Sequence, residues 1–391
     1  MTNNTRFLIW LTLGIGFCSP KPKHLLSLYG DLSVLYNGKE QELRLCGILT
    51  QGEINRLMKT PVTAADEIIS RANELGQQIV DITEDAYPAS LRCIDDAPAV
   101  LYVQGTLPDF DNLESISIIG TRKATVYGVR TAFELGANLS REGFVVVSGG
   151  ALGIDCAAHR GVLASDGITV CVLGCGIDYD YLRENKAMRN AITVKGALIS
   201  EYPPGSSPAA RNFPQRNRII SALSKGLVVV EAPKASGSMI TVSLALTHGK
   251  DIFAVMGNVD SVYSEGSNAL IKDGAIPVTS YKDVAEYYLG LSDDDTTALK
   301  FGDDVISSVP TKLKSNFSNS NDNKPVPVHN KSVSLTQEQS TVYYIIGASP
   351  IHVDEIAHRA GMPVYKVLSI LSTLEMNDLI VSSQGRNYTL K

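Results

Sequence analysis

The chain has 391 residues, of which 44% are hydrophobic, and a formal net charge of −6. This length allows two or three domains with substantial cores. The negative charge argues against a polybasic protein that coats nucleic acid nonspecifically, so any anion site must be local.

An uncharged apolar run at residues 7–17, FLIWLTLGIGF, imitates a signal peptide. It is too short to span a bilayer. A single basic residue precedes it, and no small-residue cleavage site follows. We therefore expect a buried helix, no membrane contact and a cytoplasmic protein. Further short helices follow, so residues 1–80 are predicted to form a small helical domain.

The six cysteines form no C-x-x-C pair, and several lie inside apolar runs. This usage favours buried, reduced thiols over a disulfide framework or a metal site. No metal is expected.

Residues 81–290 are predicted to form a connector, with one strand at 99–103, followed by a sheet domain. Its predicted strands cover residues 115–119, 144–147, 168–173, 197–200, 227–232, 251–255 and 276–279. Its predicted helices cover residues 126–141, 154–165, 184–194, 215–224, 237–248, 266–273 and 282–288. Apolar strands that alternate with helices indicate an α/β fold, an extended Rossmann-like doubly wound parallel sheet. Such a sheet binds ligands at the carboxyl ends of its strands.

The C-terminal quarter of the chain changes character. Residues 291–334 are rich in Asn, Ser and Asp and predict a flexible polar linker. Residues 335–391 predict a helix, a helix-turn-helix with Gly361 in its turn, and a hairpin around Gln384 and Gly385, which together make a winged helix. Five acidic residues outnumber four basic ones there. This balance favours protein contact or an accessory role over sequence-specific DNA reading.

Glycine-bearing loops follow the first three predicted strands of the sheet. Gly149, Gly150 and Gly153 let a backbone approach a ligand closely and leave N–H groups free at a helix start, which is typical of an anion cradle. The alternative is that the turns need glycine for their geometry alone. The first loop lacks G-x-G-x-x-G, which disfavours NAD, and the chain has no G-x-x-x-x-G-K-[ST], which excludes a P-loop NTPase. No cofactor is expected.

Cationic and N–H donors recur at several strand ends. They are Arg122, Lys123, Lys186, Arg211, Arg216, Arg218, Gly237, Ser238 and Thr241. Donors spread this widely suit a polyanion better than one small phosphate, and single-stranded nucleic acid fits. Arg216 and Arg218 fall in a predicted first helical turn, where the dipole disfavours cations. Either phosphates or salt bridges would neutralise them. Phe213, Tyr179 and Tyr181 either stack on bases or pack inside the protein.

Candidate catalytic residues do not assemble into a set. His159 is predicted to pack within a helix, and Asp155 is explained by capping and compensation of the helix dipole. Glu201 and Glu231 end strands and are either structural or functional. Because no nucleophile–base pair results, no enzyme is predicted.

Several motifs that run in one order closely resemble the DNA-processing protein DprA family, also called Smf. They are IIGTRKATVYG, VVVSGGALGIDCAAHRGVL, VLGCGID, ISEYPPG, FPQRNRIISALS, VVVEAPKASGSMITVSLAL, AVMGNV and GSNALIKDGAIPV. The resemblance is dense over residues 118–280 and weaker in the connector and the N-terminal helices, which look like the family's SAM-like domain. A C-terminal winged helix also occurs in many members.

The resemblance implies a protein that binds and protects single-stranded DNA, forms a homodimer and helps load RecA recombinase during natural transformation, without cofactor or turnover. Carried over by motif, the implied DNA contacts are Gly120, Thr121, Arg122, Ser148, Gly149, Gly150, Gly153, Lys186, Arg216, Asn217, Arg218, Gly237 and Ser238. The third loop lacks the tyrosine-proline that is common in relatives. The N-terminal helices lack helix-hairpin-helix glycines, so no DNA contact is predicted for them.

Two other functions are weighed against this one. The first is a nucleotide-processing Rossmann hydrolase related to phosphoribohydrolases, whose motif is P-G-G-x-G-T-x-x-E. This chain has SGGALGID instead and no matching glutamate. The second is a transcription factor that acts through residues 335–391, which their acidic balance disfavours.

Overall fold

A computed structural model of the protein describes residues 2–290 and, beyond them, residues 342, 345–346, 351–360, 362, 366–367, 370–371, 374–375, 380–383 and 387–390. The chain divides into two compact units, Met1–Phe317 and Ser318–Lys391. The predicted linker at residues 291–334 lies outside the described residues.

Short helices build the N-terminal part of the first unit. They are α1 (Thr5–Ile15), α2 (Lys21–Tyr29), α3 (Ser33–Asn37), α4 (Lys39–Leu45), α5 (Gln51–Lys59) and α6 (Thr63–Glu74). The helix α1 confirms the buried helix that the apolar run predicts, since Leu8 and Leu11 have no exposed surface. Trp10 Nε1 donates a hydrogen bond to the Thr60 carbonyl at 2.8 Å, which satisfies its buried N–H group. Across the described parts of the chain, no helix combines the length and apolar content needed to cross a bilayer.

One sheet of nine strands dominates the described part of the first unit. Its strands are β1 (Gln78–Asp81), β2 (Val100–Gly105), β3 (Ser115–Ile119), β4 (Val145–Ser148), β5 (Thr169–Leu173), β6 (Ala197–Ser200), β7 (Gly226–Val229), β8 (Asp251–Val255) and β9 (Ile276–Val278). Their order is β1-β2-β6-β5-β4-β3-β7-β8-β9. The seven strands from β6 to β9 are parallel, as predicted. Two antiparallel strands, β2 and β1, extend the sheet beyond β6, and the sequence pattern does not predict β1.

Helices cover both faces of the sheet, which confirms the doubly wound prediction. They are α7 (Ala89–Arg92), α8 (Val126–Arg141), α9 (Ile154–Ala164), α10 (Lys186–Ile192), α11 (Asn212–Ala222), α12 (Gly237–Thr247), α13 (Glu265–Lys272) and α14 (Tyr281–Leu289). Neighbouring strand residues belong to opposite layers of the core: Val146 packs in the cluster with α8, α9 and α14, and Val147 packs in the cluster with α10 to α13. The period of two in a strand produces this division.

The strand order reverses at β3. This strand pairs with β4 on one side and with β7, which comes much later in the chain, on the other. The loops after β3 and β7 therefore diverge, and a crevice opens at the carboxyl ends of these strands. The helix α11 leads into β7 and begins at Asn212, three residues before its predicted start.

Among its described residues, the second unit includes a helix and a small three-stranded sheet. The helix α15 (Val353–Ala360) and the strands β10 (Ile351–His352), β11 (Ile380–Ser383) and β12 (Asn387–Leu390) are described. The strand order is β10-β12-β11, and both pairs are antiparallel. The antiparallel pair of β11 and β12 confirms the predicted hairpin. Its turn at Gln384 and Gly385, and the predicted turn residue Gly361, lie outside the described residues.

Candidate nucleic-acid interface

An open crevice of about 550 Å³ lies at the carboxyl ends of β3 and β7. Four segments line it: the loop after β3, the start of α9, one face of α11, and the start of α12. Seven of the predicted DNA contacts line it, namely Gly120, Thr121, Arg122, Arg216, Asn217, Gly237 and Ser238. The sheet thus brings together residues that are more than 100 positions apart in the sequence.

The loop after β3 is held rigidly, and its side chains extend into the crevice. The Thr121 N–H group donates to the Glu231 carbonyl at 2.7 Å, and the Glu231 carboxylate accepts from Thr125 N at 2.9 Å and from Thr125 Oγ1 at 2.5 Å. A Cβ atom at Gly120 would lie 2.7 Å from the Glu231 carbonyl oxygen. Glu231 is therefore a structural residue, and Arg122 remains exposed beside the crevice.

A cation and an aromatic ring that line the crevice lie in contact, and a second ring packs beside them. The Arg122 guanidinium carbon lies 5.6 Å from the Phe213 ring centroid. The Phe213 and Tyr181 rings lie 5.1 Å apart at an angle of 36°. Both rings are partly exposed, so packing inside the protein does not cover them completely. A guanidinium and a ring in this arrangement can contact a phosphate and a base face together.

The loop after β4 differs from the predicted anion cradle. Asp155 Oδ2 accepts a hydrogen bond from the Ala151 N–H group at 3.4 Å. A Cβ atom at Gly149 would lie 2.8 Å from the same carboxylate oxygen. Burial raises the pKa of Asp155, and the positive charge of Arg216 acts in the opposite direction. The side chain of Asp155 thus occupies the position at this loop that the sequence assigns to a ligand anion.

The other predicted contacts of this loop are buried behind the crevice. Ser148 Oγ donates to the Ile118 carbonyl at 2.7 Å and has no exposed surface. Gly153 has a φ of 85°, and a Cβ atom there would lie 2.4 Å from the Thr121 carbonyl oxygen. Gly150 is also buried, and its carbonyl accepts from Asn185 Nδ2 at 3.1 Å. These residues shape the crevice by packing the loops after β3 and β4 together.

Arg216 lines the crevice but is only 4% exposed. Its Nη1 donates to the Gly149 carbonyl at 2.8 Å and to the Val172 carbonyl. Burial lowers the pKa of its guanidinium, and Asp155 raises it. Its Nε is buried without a hydrogen-bond partner in the described structure. Arg216 therefore stabilises the loop after β4 through its hydrogen bond to the Gly149 carbonyl. It is not the exposed cation that the sequence predicts.

Arg218 lies outside the crevice, which corrects its prediction as a phosphate contact. Its Nη2 donates to both carboxylate oxygens of Glu201 at 2.9 Å. Its Nε lies 3.2 Å from Asp96 Oδ2, and the side chain is 2% exposed. Burial lowers its pKa, but the charges of Glu201 and Asp96 outweigh that effect, and its pKa is raised. Carboxylates of the protein thus neutralise Arg218, in agreement with the salt-bridge alternative.

The remaining predicted contacts differ in position. Asn217 is half-buried in the crevice wall, and Gly237 and Ser238 lie in the first turn of α12, where the Ser236 hydroxyl accepts from the Ser238 N–H group at 3.3 Å. Lys186 and Arg211 are exposed but do not line the crevice. The sequence pattern does not identify Ser236 or Ile240 as crevice residues. Ile240 is 45% exposed, and no signal in the sequence separates it from the neighbouring apolar residue Met239.

Comparisons with known proteins agree with this geometry. A family model described as DNA recombination-mediator protein A matches residues 78–289, which include every residue lining the crevice. A second model, described as the DprA winged helix domain, matches residues 327–386. The Escherichia coli protein Smf is 31% identical over 338 residues, which cover 86% of this chain and 84% of that protein.

Two solved structures share the fold. The structure of DNA processing protein A from Streptococcus pneumoniae aligns with a TM-score of 0.64 at 31% identity, covering 73% of this chain and 97% of that one. That of DNA processing protein A from Helicobacter pylori, described together with its single-stranded DNA binding mode, aligns with a TM-score of 0.50 at 29% identity, covering 55% and 96%. The Rossmann-like sheet, its crevice loops and the winged helix place this chain in the family of the DNA recombination-mediator protein A, DprA.

Proposed function

We propose that the protein binds single-stranded DNA in the crevice at the carboxyl ends of β3 and β7, and that it acts by binding, without catalytic turnover. The observation that carries the proposal is the exposed Arg122 guanidinium stacked against Phe213, beside the first turn of α12. A cation, a ring face and helix N–H groups suit a phosphate chain whose bases are unpaired.

The charge of the whole molecule also supports a local site. With a net charge of −6, the protein attracts no polyanion over its general surface. Arg122 and Lys123 are exposed at the crevice, whereas Arg216 and Arg218 hydrogen-bond to the protein itself. The phosphate contacts we propose are therefore Arg122, Lys123 and the Gly237–Ser238 turn. Lys186 and Arg211 remain proposed contacts for the part of a DNA strand that extends beyond the crevice. The loop after β4 acts indirectly by shaping the crevice, through Ser148, Gly149, Gly150 and Gly153.

Membership of the family supports a wider role. We propose that the protein protects incoming single strands and passes them to RecA recombinase during natural transformation, as a cytoplasmic homodimer that needs no cofactor. We propose a SAM-like domain at residues 1–80, the DNA-binding domain at 81–290, a linker at 291–334 and the winged helix at 335–391.

Arg122→Ala tests the binding site directly. We expect its affinity for a fluorescent thymidine oligonucleotide to fall at least about tenfold, because a phosphate contact and a stacking partner are lost together. The slope of log K against log salt should decrease by about 0.7, the contribution of one phosphate contact on a single strand. Fluorescence anisotropy over a series of salt concentrations measures both quantities.

Arg141→Ala removes an exposed arginine at the C-terminal end of α8, at the opposite edge of the sheet, and should leave binding unchanged. Wild-type affinity and salt slope in Arg122→Ala would reject the site. Release of free base from nucleoside monophosphates by the wild type would favour the phosphoribohydrolase alternative instead.

A further inference from the structure

The buried Arg218 joins segments that are far apart in the sequence. It belongs to α11 and binds Glu201, which follows β6, through two hydrogen bonds of 2.9 Å. Its Nε also contacts Asp96, in the connector between α7 and β2, with 3.0 Å to the Asp96 carbonyl. Glu201 Oε1 accepts in turn from the Cys18 N–H group at 3.2 Å, just after α1. The Glu201 carboxylate thus links the turn after α1 to α11.

The opposite face of α11 belongs to the crevice. Phe213, Arg216, Asn217 and Ile220 line it. These positions are spaced by three, four and seven residues and share one side of the helix, whereas Arg218 projects from another side. A shift or rotation of α11 would therefore move Phe213 relative to the Arg122 guanidinium, which lies on a different loop.

Cys18 adopts a backbone conformation that few residues other than glycine favour. Its φ is +58°, in the left-handed region. In this conformation its N–H group reaches Glu201 Oε1, and its Sγ lies 3.4 Å from Glu201 Oε2. The neighbouring Phe17 ring packs 4.8 Å from the Tyr202 ring. The turn after α1 is thus shaped to hold Glu201 in place.

Stability alone is a weak explanation for the pair of Arg218 and Glu201. Desolvation of two buried charges offsets much of their attraction, so well-packed apolar residues often stabilise a protein equally well. A bidentate pair between a guanidinium and a carboxylate instead fixes orientation, because its two parallel hydrogen bonds form at one angle only. A helix that carries a binding surface on its other side must keep one orientation, and this pair can fix the orientation of α11.

We infer that Arg218 is a positioning residue, through which Glu201 and the turn after α1 hold α11 in the orientation that binds single-stranded DNA. The N-terminal helices thereby determine the affinity of a crevice that they do not line. This inference rests on the proposed binding of single-stranded DNA at the crevice.

Glu201→Gln in the full chain distinguishes positioning from direct contact by the sign of its effect. If Arg218 contacted phosphates itself, loss of the competing carboxylate would strengthen binding of a thymidine oligonucleotide. If Arg218 positions α11, the affinity falls, and we expect a loss of at least about fivefold. The salt slope should stay at the wild-type value because no phosphate contact is removed. Arg218→Lys keeps the charge but loses the bidentate geometry, and should weaken binding similarly.

Two milder variants keep the inference testable if these unfold. Asp96→Asn changes a partly exposed partner and should weaken binding about twofold to threefold. Cys18→Gly suits the positive φ, removes the Sγ contact with Glu201 and loosens the turn without touching α11, and it should weaken binding with an unchanged salt slope. Glu114→Gln breaks an exposed pair with Lys225 at the other edge of the sheet and serves as the matched control. Thermal unfolding of each variant establishes that the binding assay samples folded protein.

The outcomes separate the two proposals. If the wild type does not bind single-stranded DNA, or Arg122→Ala binds as the wild type does, the proposed function fails. If Arg122→Ala weakens binding while Glu201→Gln, folded at the assay temperature, binds as tightly as the wild type or more tightly, only the positioning role is overturned. Wild-type affinity in folded Cys18→Gly would overturn the role that the inference gives to the turn after α1.

Discussion

Asp155 places a carboxyl group at the wall of a crevice that we propose to bind phosphates. Its carboxylate accepts from the Ala151 N–H group and lies among residues that line the crevice. Burial in this position raises its pKa. The carboxyl group holds the loop after β4 through the Ala151 N–H group before a ligand arrives, and its ionised form reduces the electrostatic attraction of the crevice for an anion.

Asp155→Asn should therefore bind single-stranded DNA more tightly than the wild type. The amide keeps the size of the side chain and removes one repulsive charge, which is worth about twofold to fivefold in affinity at distances of several ångströms in water. Anisotropy titrations at low salt measure the change. Glu142→Gln, at the far end of α8, is the matched control and should not change affinity. Weaker binding by folded Asp155→Asn would show that the carboxylate supports the ligand site.

His159 is buried, and its Nδ1 lies 2.8 Å from Thr169 Oγ1. Burial, assisted by the positive charge of Arg216, lowers its pKa to about 3, whereas an exposed histidine titrates near 6.5. Between these pH values the unfolded chain binds a proton that the folded chain does not, so folding stability decreases as the pH falls below about 6.5. His159 contributes at most about 1.4 kcal/mol per pH unit to the slope of the free energy of unfolding against pH.

His159→Gln tests this pH dependence. The variant lacks the titrating group, so its free energy of unfolding should decrease less steeply between pH 6.5 and 5 than that of the wild type. Urea denaturation at several pH values gives the slopes. His24→Gln, which changes an exposed histidine on α2, should keep the wild-type slope. Equal slopes for all three proteins would contradict the prediction.

At the scale of elements, the start of α11 explains why the sequence pattern predicts phosphate contacts for Arg216 and Arg218. The helix begins at Asn212, so Arg216 lies in its second turn and Arg218 near its middle. The unfavourable effect of the helix dipole on cations is confined to the first turn. Because α11 starts three residues earlier than predicted, neither arginine lies in its first turn, and the helix dipole gives no reason to expect a phosphate there. The carboxylates that neutralise Arg218 come from other elements.

The loop from β4 to α9 offers a test of close packing between loops. Gly153→Ala should lower the free energy of unfolding by about 2–4 kcal/mol, because the backbone conformation disfavours a side chain and a Cβ would meet the Thr121 carbonyl. Gly143→Ala has a similar φ of 89° with open space around its Cβ position, and should cost only about 1 kcal/mol. Urea denaturation measures both. Equal losses would show that Gly153 is needed for its conformation alone.

At the scale of the whole molecule, the complete crevice lies in one compact unit. All of its lining residues fall between positions 119 and 241, inside the unit Met1–Phe317. The second unit has its own apolar cluster around Val353, Ile356 and Leu371. The proposed DNA site therefore has no structural need for the winged helix.

Removal of residues after position 290 should leave single-stranded DNA binding intact. We expect a dissociation constant within about twofold of that of the full chain and the same salt slope, because the phosphate contacts are retained. Anisotropy with thymidine oligonucleotides compares the two proteins, and a duplex of the same length is included. A tenfold loss of single-strand affinity would place part of the site in the second unit.

The sequence by itself determined the fold class of this protein and most elements of its sheet domain. Apolar runs at strand spacing and helical stretches between them predicted the parallel strands and the helices of the sheet domain to within a few residues, because these patterns reflect local periodicity. The loops after β3 and β7 were also placed correctly at the crevice, since strand order brings carboxyl ends together.

Only the tertiary structure decided which charges face the crevice. Arg218 is neutralised by Glu201 and Asp96, and the loop after β4 is occupied by Asp155. Whether a cation meets a ligand or a carboxylate of the same chain depends on partners that the fold brings within about 3 Å, some of them more than 100 residues away. The local sequence does not identify such partners, because hydrogen bonds and ion pairs depend on distance in space and not on distance along the chain.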